Sequence, residues 1–274
     1  MRSPFAADLE LARRFEHTDA WGGALTVPAI RSLRPDVGAE ALEVAGGLAT
    51  YCGRTSPLTR ARGVAVGEPI SAAEVDRLEA FFFDRGAGVA ITVCPFTHLS
   101  LTDALCARGY RLAHWMQAFA MSLAGWAPPE RPESRVELAR VDDATRDAWA
   151  IAVDRGYSPN DEPSSDALLI GRAVGLDAST ASYLARLDGE VIAGGSVRVH
   201  DGEAYLFGMS TIRAARGQGA QTALLRARLE HAREAGAERA WIVTSPGTPS
   251  ERNAVRFGFQ PLYSRCAMHR ARPS

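Results

Sequence analysis

Ser210-Thr211-Ile212-Arg213-Ala214-Ala215-Arg216-Gly217-Gln218-Gly219-Ala220-Gln221-Thr222 decides how this chain is read. The apolar run at residues 204–212 predicts a strand. A basic, glycine-bearing turn ends it, and a helical pattern opens at once behind the turn. Such a junction aims free backbone N–H groups and the positive end of a helix dipole at one point, which suits a pyrophosphate. Arg216 adds a planar cation matched to phosphate oxygens. No Gly-Lys-Ser/Thr follows, so the turn is not a Walker-type P-loop, and Gly217-x-Gly219 lacks the third glycine of a dinucleotide fingerprint.

Working outward, residues 183–187 and 191–199 read as strands joined by the tight turn Asp188-Gly189, and Asp201-Gly202 leads into the strand at 204–212. Gly208 inside that strand marks a bulge or a close backbone approach. After the loop, Ala220, Ala223, Leu224, Leu225, Ala227, Leu229 and Ala232 form an apolar face at helical spacing that stops at Gly236. A short strand at 239–244 precedes Thr248-Pro249-Ser250-Glu251, a capping box with proline at the first helical position. Gly258-Phe259 ends that helix, and two short strands are predicted at 260–263 and 265–269. Upstream, a strand at 135–141 and helices at 143–155 and 164–174, around a loop at 156–163, complete one domain.

Arg216-x-x-Gly219, followed by an Ala/Leu-rich helix, resembles the acyl-CoA loop of the GNAT acyltransferase superfamily, and the order of elements over 135–274 is similar to that superfamily's full order. The resemblance implies an α/β (α+β) fold with a mixed, mostly antiparallel twisted sheet flanked by helices. It implies acetyl-CoA as acyl donor and transfer of an acetyl or other small acyl group to an amine by direct attack. In relatives, backbone N–H groups before the loop point at the thioester and pantetheine, which assigns Ser210, Thr211 and Ile212. Arg216, Gly217, Gln218, Gly219, Ala220, Gln221 and Thr222 take the pyrophosphate by the same carry-over, and Asn253 the pantetheine amides. Gly208 corresponds to a bulge that splays two strands. Three positions depart from the pattern: Gln221 stands where Gly or Ala is usual, the register of Asn253 is shifted, and Ala254 replaces a tyrosine that protonates the departing thiolate.

That vacancy leaves Tyr263 as a candidate acid or as a core or rim tyrosine. Glu203 and Tyr205, entering the central strand, are candidate bases, a carboxylate acting through water; an ordinary hairpin acid is the alternative for Glu203. Tyr157, Asp161 and Glu162 lie in the loop between the two helices that wall the acceptor pocket in relatives, and the two acids suit a cationic amine or a plain exposed loop.

The first half repeats part of this pattern. Residues 87–93 align with 237–243 at an offset of 150, and Gly109-Tyr110 with Gly258-Phe259 at an offset of 149. A helical stretch at 72–85 matches the helix after the phosphate loop. We expect a tandem arrangement: a degenerate GNAT-like unit over 1–126, a proline-rich linker at 127–134, and the acetyltransferase domain over 135–274. Val66-Gly67-Glu68-Pro69-Ile70-Ser71 occupies the place of the loop in the first unit, where Glu68 repels phosphate and Pro69 removes a donor.

A net charge of −1 over 274 residues gives no sign of a nucleic-acid or membrane partner. No apolar run approaches a membrane span, and the N-terminus opens on Met1-Arg2-Ser3-Pro4-Phe5 and a charged helix at 6–17, not a signal peptide. Cys52, Cys94, Cys106 and Cys266 lack metal-type spacing and read as reduced thiols of a cytoplasmic protein; no metal is expected. The expected partner is a small-molecule or peptide amine, and the chain is a monomer with an internal pseudo-dimer or a homodimer. An acyl-CoA-binding sensor or partner-binding module is the rival reading, which Gln221 and Ala254 favour.

Overall fold

A computed structural model describes residues 7–129, 135–164 and 166–273. The opening Met1–Phe5 segment and most of the expected linker, residues 130–134, lie outside the described residues.

The chain forms two compact units, one running through Ala118 and resuming at Pro261, the other Phe119–Gln260. In the first, helices α1 (Leu9–Ala24) and α2 (Thr26–Leu33) precede strands β1 (Glu40–Val44), β2 (Gly47–Tyr51) and β3 (Arg60–Arg62). Helix α3 (Ala72–Phe83), strand β4 (Val89–Val93), helix α4 (Leu99–Ala107) and the start of strand β5 (Arg111–Ser122), which passes into the second unit after Ala118, follow. Strands β1, β2 and β3 pair antiparallel, and β3 pairs parallel with β4 through the α3 crossover. In the second unit come strand β6 (Glu137–Arg140), helices α5 (Arg146–Tyr157) and α6 (Ala167–Gly175), and strands β7 (Thr180–Leu187), β8 (Glu190–His200) and β9 (Glu203–Thr211). Helix α7 (Ala220–Glu234), strand β10 (Arg239–Thr244) and helix α8 (Pro249–Arg256) complete it, before strand β11 (Gln260–Arg270). Strands β6 to β9 pair antiparallel in sequence, and β9 pairs parallel with β10 through the α7 crossover. The two units thus share three antiparallel strands, a helical crossover and a parallel strand.

The division differs from the boundaries expected from sequence. Strand β11 pairs antiparallel with β4, Cys266 opposite Val93 and Arg270 opposite Val89, so the last strand belongs to the first unit. Its inner residues fix it there: Arg265 spans Glu16 at 2.9 Å and Asp19 at 2.6 Å on α1, with all three side chains buried. Nor does β11 break into two strands, since Ser264 between the predicted halves is no breaker and its hydroxyl donates to Gln117 at 2.8 Å.

The two Asp-Gly turns form as expected, and the capping box of α8 forms only by half. Asp188-Gly189 and Asp201-Gly202 form two-residue turns with both residues at positive φ, the type that matches strand twist. Thr248 caps α8 by accepting from the Glu251 N–H, while the Glu251 carboxylate takes the N–H of Gly247, one residue before the cap. The first unit buries Leu78 and Phe82 of α3 against Ile91 of β4 and Leu101 of α4. The second buries Leu225 and Leu229 of α7 against Val197 of β8, Leu206 of β9 and Phe257 beyond α8.

Candidate active site

The site begins where two paired strands part. Strands β9 and β10 are in register from Glu203 opposite Arg239 to Leu206 opposite Ile242, and the pairing ends there. Beyond it, β9 also slips against β8: Gly194 faces Ser210 but Ser196 faces Phe207, so Gly208 and Met209 lie opposite Gly195 alone. This bulge needs a left-handed residue, and Gly208 has φ +57°. The splay opens a cleft of about 880 Å³ within the second unit.

One end of the cleft is the turn before α7. Gly219 caps the helix at φ +87°, a conformation natural to glycine. Among the described residues, no protein acceptor takes the N–H groups of Gly217, Gly219, Ala220, Gln221 or Thr222, as expected for the first turn of a helix. Arg216 lines the same wall, its Nε donating to the Thr211 carbonyl at 3.3 Å and its Nη2 to the Gly156 carbonyl at 3.1 Å. The guanidinium therefore fastens the end of α5 to β9 while facing the cleft. Gln221 does not obstruct the turn; its side-chain oxygen accepts from the Asn253 amide on α8. Arg256, which the motif reading does not include, donates to the Thr222 hydroxyl at 2.6 Å and to Asn253 at 2.8 Å. Three arginines, Arg216, Arg228 and Arg256, line the cleft, and among its described lining residues there is no Asp or Glu. The residues present suit an anionic, phosphate-bearing thioester: an acid-free wall, unpaired N–H donors and two cations at one mouth.

The strand before the turn divides into donors and non-donors. Ile212 donates its N–H to the Ile192 carbonyl at 2.9 Å, toward β8, so it is lost as a donor and stands outside the cleft. Ser210 alternates in step with Ile212, and its hydroxyl is spent on the Val153 carbonyl at 2.5 Å. Thr211 points the other way, into the cleft, its carbonyl taken by Arg216. Met209, which sequence reading passes over, joins Thr211 on that edge and lines the cleft.

Of the candidate proton-handling residues, only Tyr205 lines the cleft, stacked on Phe207 with ring centroids 6.2 Å apart. Glu203 lies at the paired end of β9, held by Arg239 at 2.8 Å and by the Trp241 indole at 2.6 Å; it is a structural acid there. Tyr263 stands in the first unit, where its hydroxyl donates to Glu16 at 3.0 Å. Burial and the Glu16 charge raise its pKa far above the ordinary phenol value, and it is not among the residues that line the cleft. Asp161 accepts from the Arg213 N–H at 3.1 Å and Glu162 from the Asn160 amide at 2.7 Å; both fix the loop and neither lines the cleft. Tyr157 does. The residue is 64% exposed, yet desolvation of its phenol raises its pKa, opposed by the Arg228 charge and the Met209 N–H.

The corresponding loop of the first unit is closed. The Gly67 N–H donates to the Phe96 carbonyl at 2.9 Å, that of Ile70 to the Ser100 hydroxyl at 2.9 Å and that of Ser71 to Glu74 at 2.9 Å. Arg13, the nearby cation, is paired with Glu68 at 2.6 Å. Among the described residues no cluster of His, Cys, Asp and Glu could hold a metal ion, and no helix is long and apolar enough to cross a membrane.

Residues 141–259, a span inside the second unit, match the model of the Acetyltransferase (GNAT) family. The fold of the chain is that of solved structures at low identity. A GCN5-related N-acetyltransferase from Kribbella flavida is 20% identical with a TM-score of 0.61, over 89% of this chain and 94% of that one. A functionally unknown conserved protein from Staphylococcus epidermidis is 10% identical with a TM-score of 0.61, over 86% and 96%. A GCN5-related N-acetyltransferase from Sphaerobacter thermophilus is 18% identical with a TM-score of 0.53, over 69% and 61%. No curated protein matches the sequence.

Proposed function

We propose that the second unit transfers a short acyl group from a CoA thioester to a primary amine, by direct attack in a ternary complex. The observation that carries this reading is the union of two features in one cleft. The strands β9 and β10 part beyond Leu206 and Ile242, and the unpaired N–H groups at the start of α7 stand at the mouth of the gap.

In this reading the N–H groups of Gly217 and of Gly219 to Thr222, with Arg216 and Arg256, hold the pyrophosphate. Asn253 faces the arm. The Thr211 and Met209 N–H groups, on the free edge of β9, face the thioester carbonyl and the charge that develops on its oxygen. The amine nitrogen bonds to the carbonyl carbon, the carbon–sulfur bond breaks, and the sulfur leaves as thiolate. The amine proton passes to water or to a neighbouring side chain, for which Tyr205 is the candidate at the wall. A thiol with an ordinary pKa of about 8.5 leaves tolerably without a dedicated acid, consistent with alanine at position 254.

The test is release of free CoA thiol from acetyl-CoA across a panel of small amines and peptides, with wild type and Thr211→Pro, which deletes the cleft-facing N–H. Amine-dependent release in the wild type, lost in the variant while CoA still binds, supports transfer. Tight CoA binding without release on any amine supports an acyl-CoA-binding module instead.

A further inference from the structure

The helical stripe of α7 that packs on the sheet contains one charged residue. Arg228 is 0% exposed, set between Leu224, Leu225 and Leu229. Its Nε donates to the Leu224 carbonyl at 3.1 Å, one Nη to the Ser196 carbonyl at 3.3 Å, and the other meets the sulfur of Met209 at 2.7 Å. None of these partners is an anion, and among the described residues no carboxylate pairs with it. The one titratable group that acts on it is the Tyr157 phenol, and burial lowers its pKa to about 10. It therefore remains a cation at neutral pH. A buried charge without a counter-charge is costly, and Arg228, although 0% exposed, is one of the residues that line the cleft. A group of this kind is what an incoming carboxylate would neutralise.

Its place in the cleft selects the part of the substrate. Gly219 caps the helix that carries Arg228, and from one to the other α7 rises about 13 Å at 1.5 Å per residue. That span is comparable with the reach of an extended pantetheine arm from a pyrophosphate held at Gly219. Arg228 thus lies at the thioester end of the arm. It is also on the donor side of the sheet: a Cβ on Gly195 would meet Arg228 at 3.2 Å, whereas one on the adjacent Gly194 would meet Trp149 of α5 on the opposite face.

We propose that Arg228 binds a carboxylate at the far end of the donor's acyl group, so that the preferred donor is the CoA half-thioester of a short dicarboxylic acid rather than acetyl-CoA. The inference rests on the acyl-CoA reading of the same cleft. Tyr157, which lines the same cleft, would then be the second contact of that carboxylate, its hydroxyl donating to it.

The test is calorimetric binding of CoA, acetyl-CoA, malonyl-CoA, succinyl-CoA and glutaryl-CoA to the full chain with no acceptor present, for wild type and Arg228→Met. We expect one carboxylated thioester to bind wild type about tenfold or more tighter than acetyl-CoA, the worth of a charge-assisted hydrogen bond. In Arg228→Met that preference disappears while CoA itself binds as before. The wild-type ranking stands even if the variant fails to fold. Acetyl-CoA binding as tightly as every carboxylated thioester overturns the proposal and leaves the acyl-CoA reading intact. A carboxylate preference that persists in Arg228→Met also overturns it. No binding of CoA or of any thioester overturns both.

Discussion

The Tyr263 hydroxyl donates to Glu16 at 3.0 Å, inside the first unit. A tyrosine that local sequence offered to the thiolate is in fact a brace between the C-terminal strand and the first helix. Glu16 is also gripped by Arg265; burial nonetheless raises its pKa, with the nearby Asp19 charge adding to the effect and Arg265 opposing it. Tyr263→Phe should lower stability by about 1 kcal/mol, the net worth of one hydrogen bond, and leave acyl transfer unchanged. Parallel denaturant titrations and turnover assays check this; a large loss of kcat without loss of stability would return Tyr263 to the mechanism.

Glu203 is held in the same structural manner by Arg239 and Trp241. Glu203→Gln should keep kcat/KM within about threefold, well short of the hundredfold or more that removing a general base costs. The pH–rate profile should also be unmoved. Tyr205→Phe, by contrast, should lower kcat, or shift the profile, with little change in donor KM.

Arg256 sits at the mouth of the cleft on Thr222 and Asn253. Arg256→Ala should raise the KM for the acyl donor about tenfold with kcat little changed, the pattern of a binding contact equal in ground and transition states. The effect should shrink for a donor truncated to its pantetheine portion, which carries no pyrophosphate.

Asp177 and Arg198 form a pair whose side chains are 8% and 6% exposed, at 2.6 Å. Burial raises the Asp177 pKa, but hydrogen bonds from Ser179 and Thr180 and the Arg198 charge outweigh it, so the net shift is downward from 3.8. A depressed carboxylate adds stability that is complete above the unfolded pKa and lost as pH falls through the lower folded value. Asp177→Ala should cost about 3 kcal/mol at neutral pH by stranding Arg198. Below pH 4 the gap between variant and wild type should narrow, which melts across a pH series will measure.

How much was legible follows from the range of the forces. The phosphate turn, the Asp-Gly hairpins, the Thr248 cap and the Gly208 bulge are local, and the residues that make them are neighbours in sequence. The destination of β11 is not local: its register with β4 and the Arg265 contacts to Glu16 and Asp19 join the two ends of the chain. A domain boundary drawn at the proline-rich stretch therefore assigns that strand to the wrong unit. Donor direction on β9 was half legible, since alternation rules are known but the phase depends on the bulge. Arg228 left a signal that was there to read, an arginine inside the apolar stripe where Ala227 had been counted instead. Arg256 left a weaker one, three residues after Asn253 on the same helix.

The measurement that bears most directly on the central claim is calorimetric titration of CoA thioesters into the full chain beside Gly219→Glu. The variant puts a carboxylate and a strained left-handed residue at the cap of α7. The account predicts binding to wild type with a micromolar dissociation constant and its loss in a variant that melts as a folded protein. Equal binding to both would contradict the placement of the donor on this turn, and no binding to either would contradict the acyltransferase reading itself.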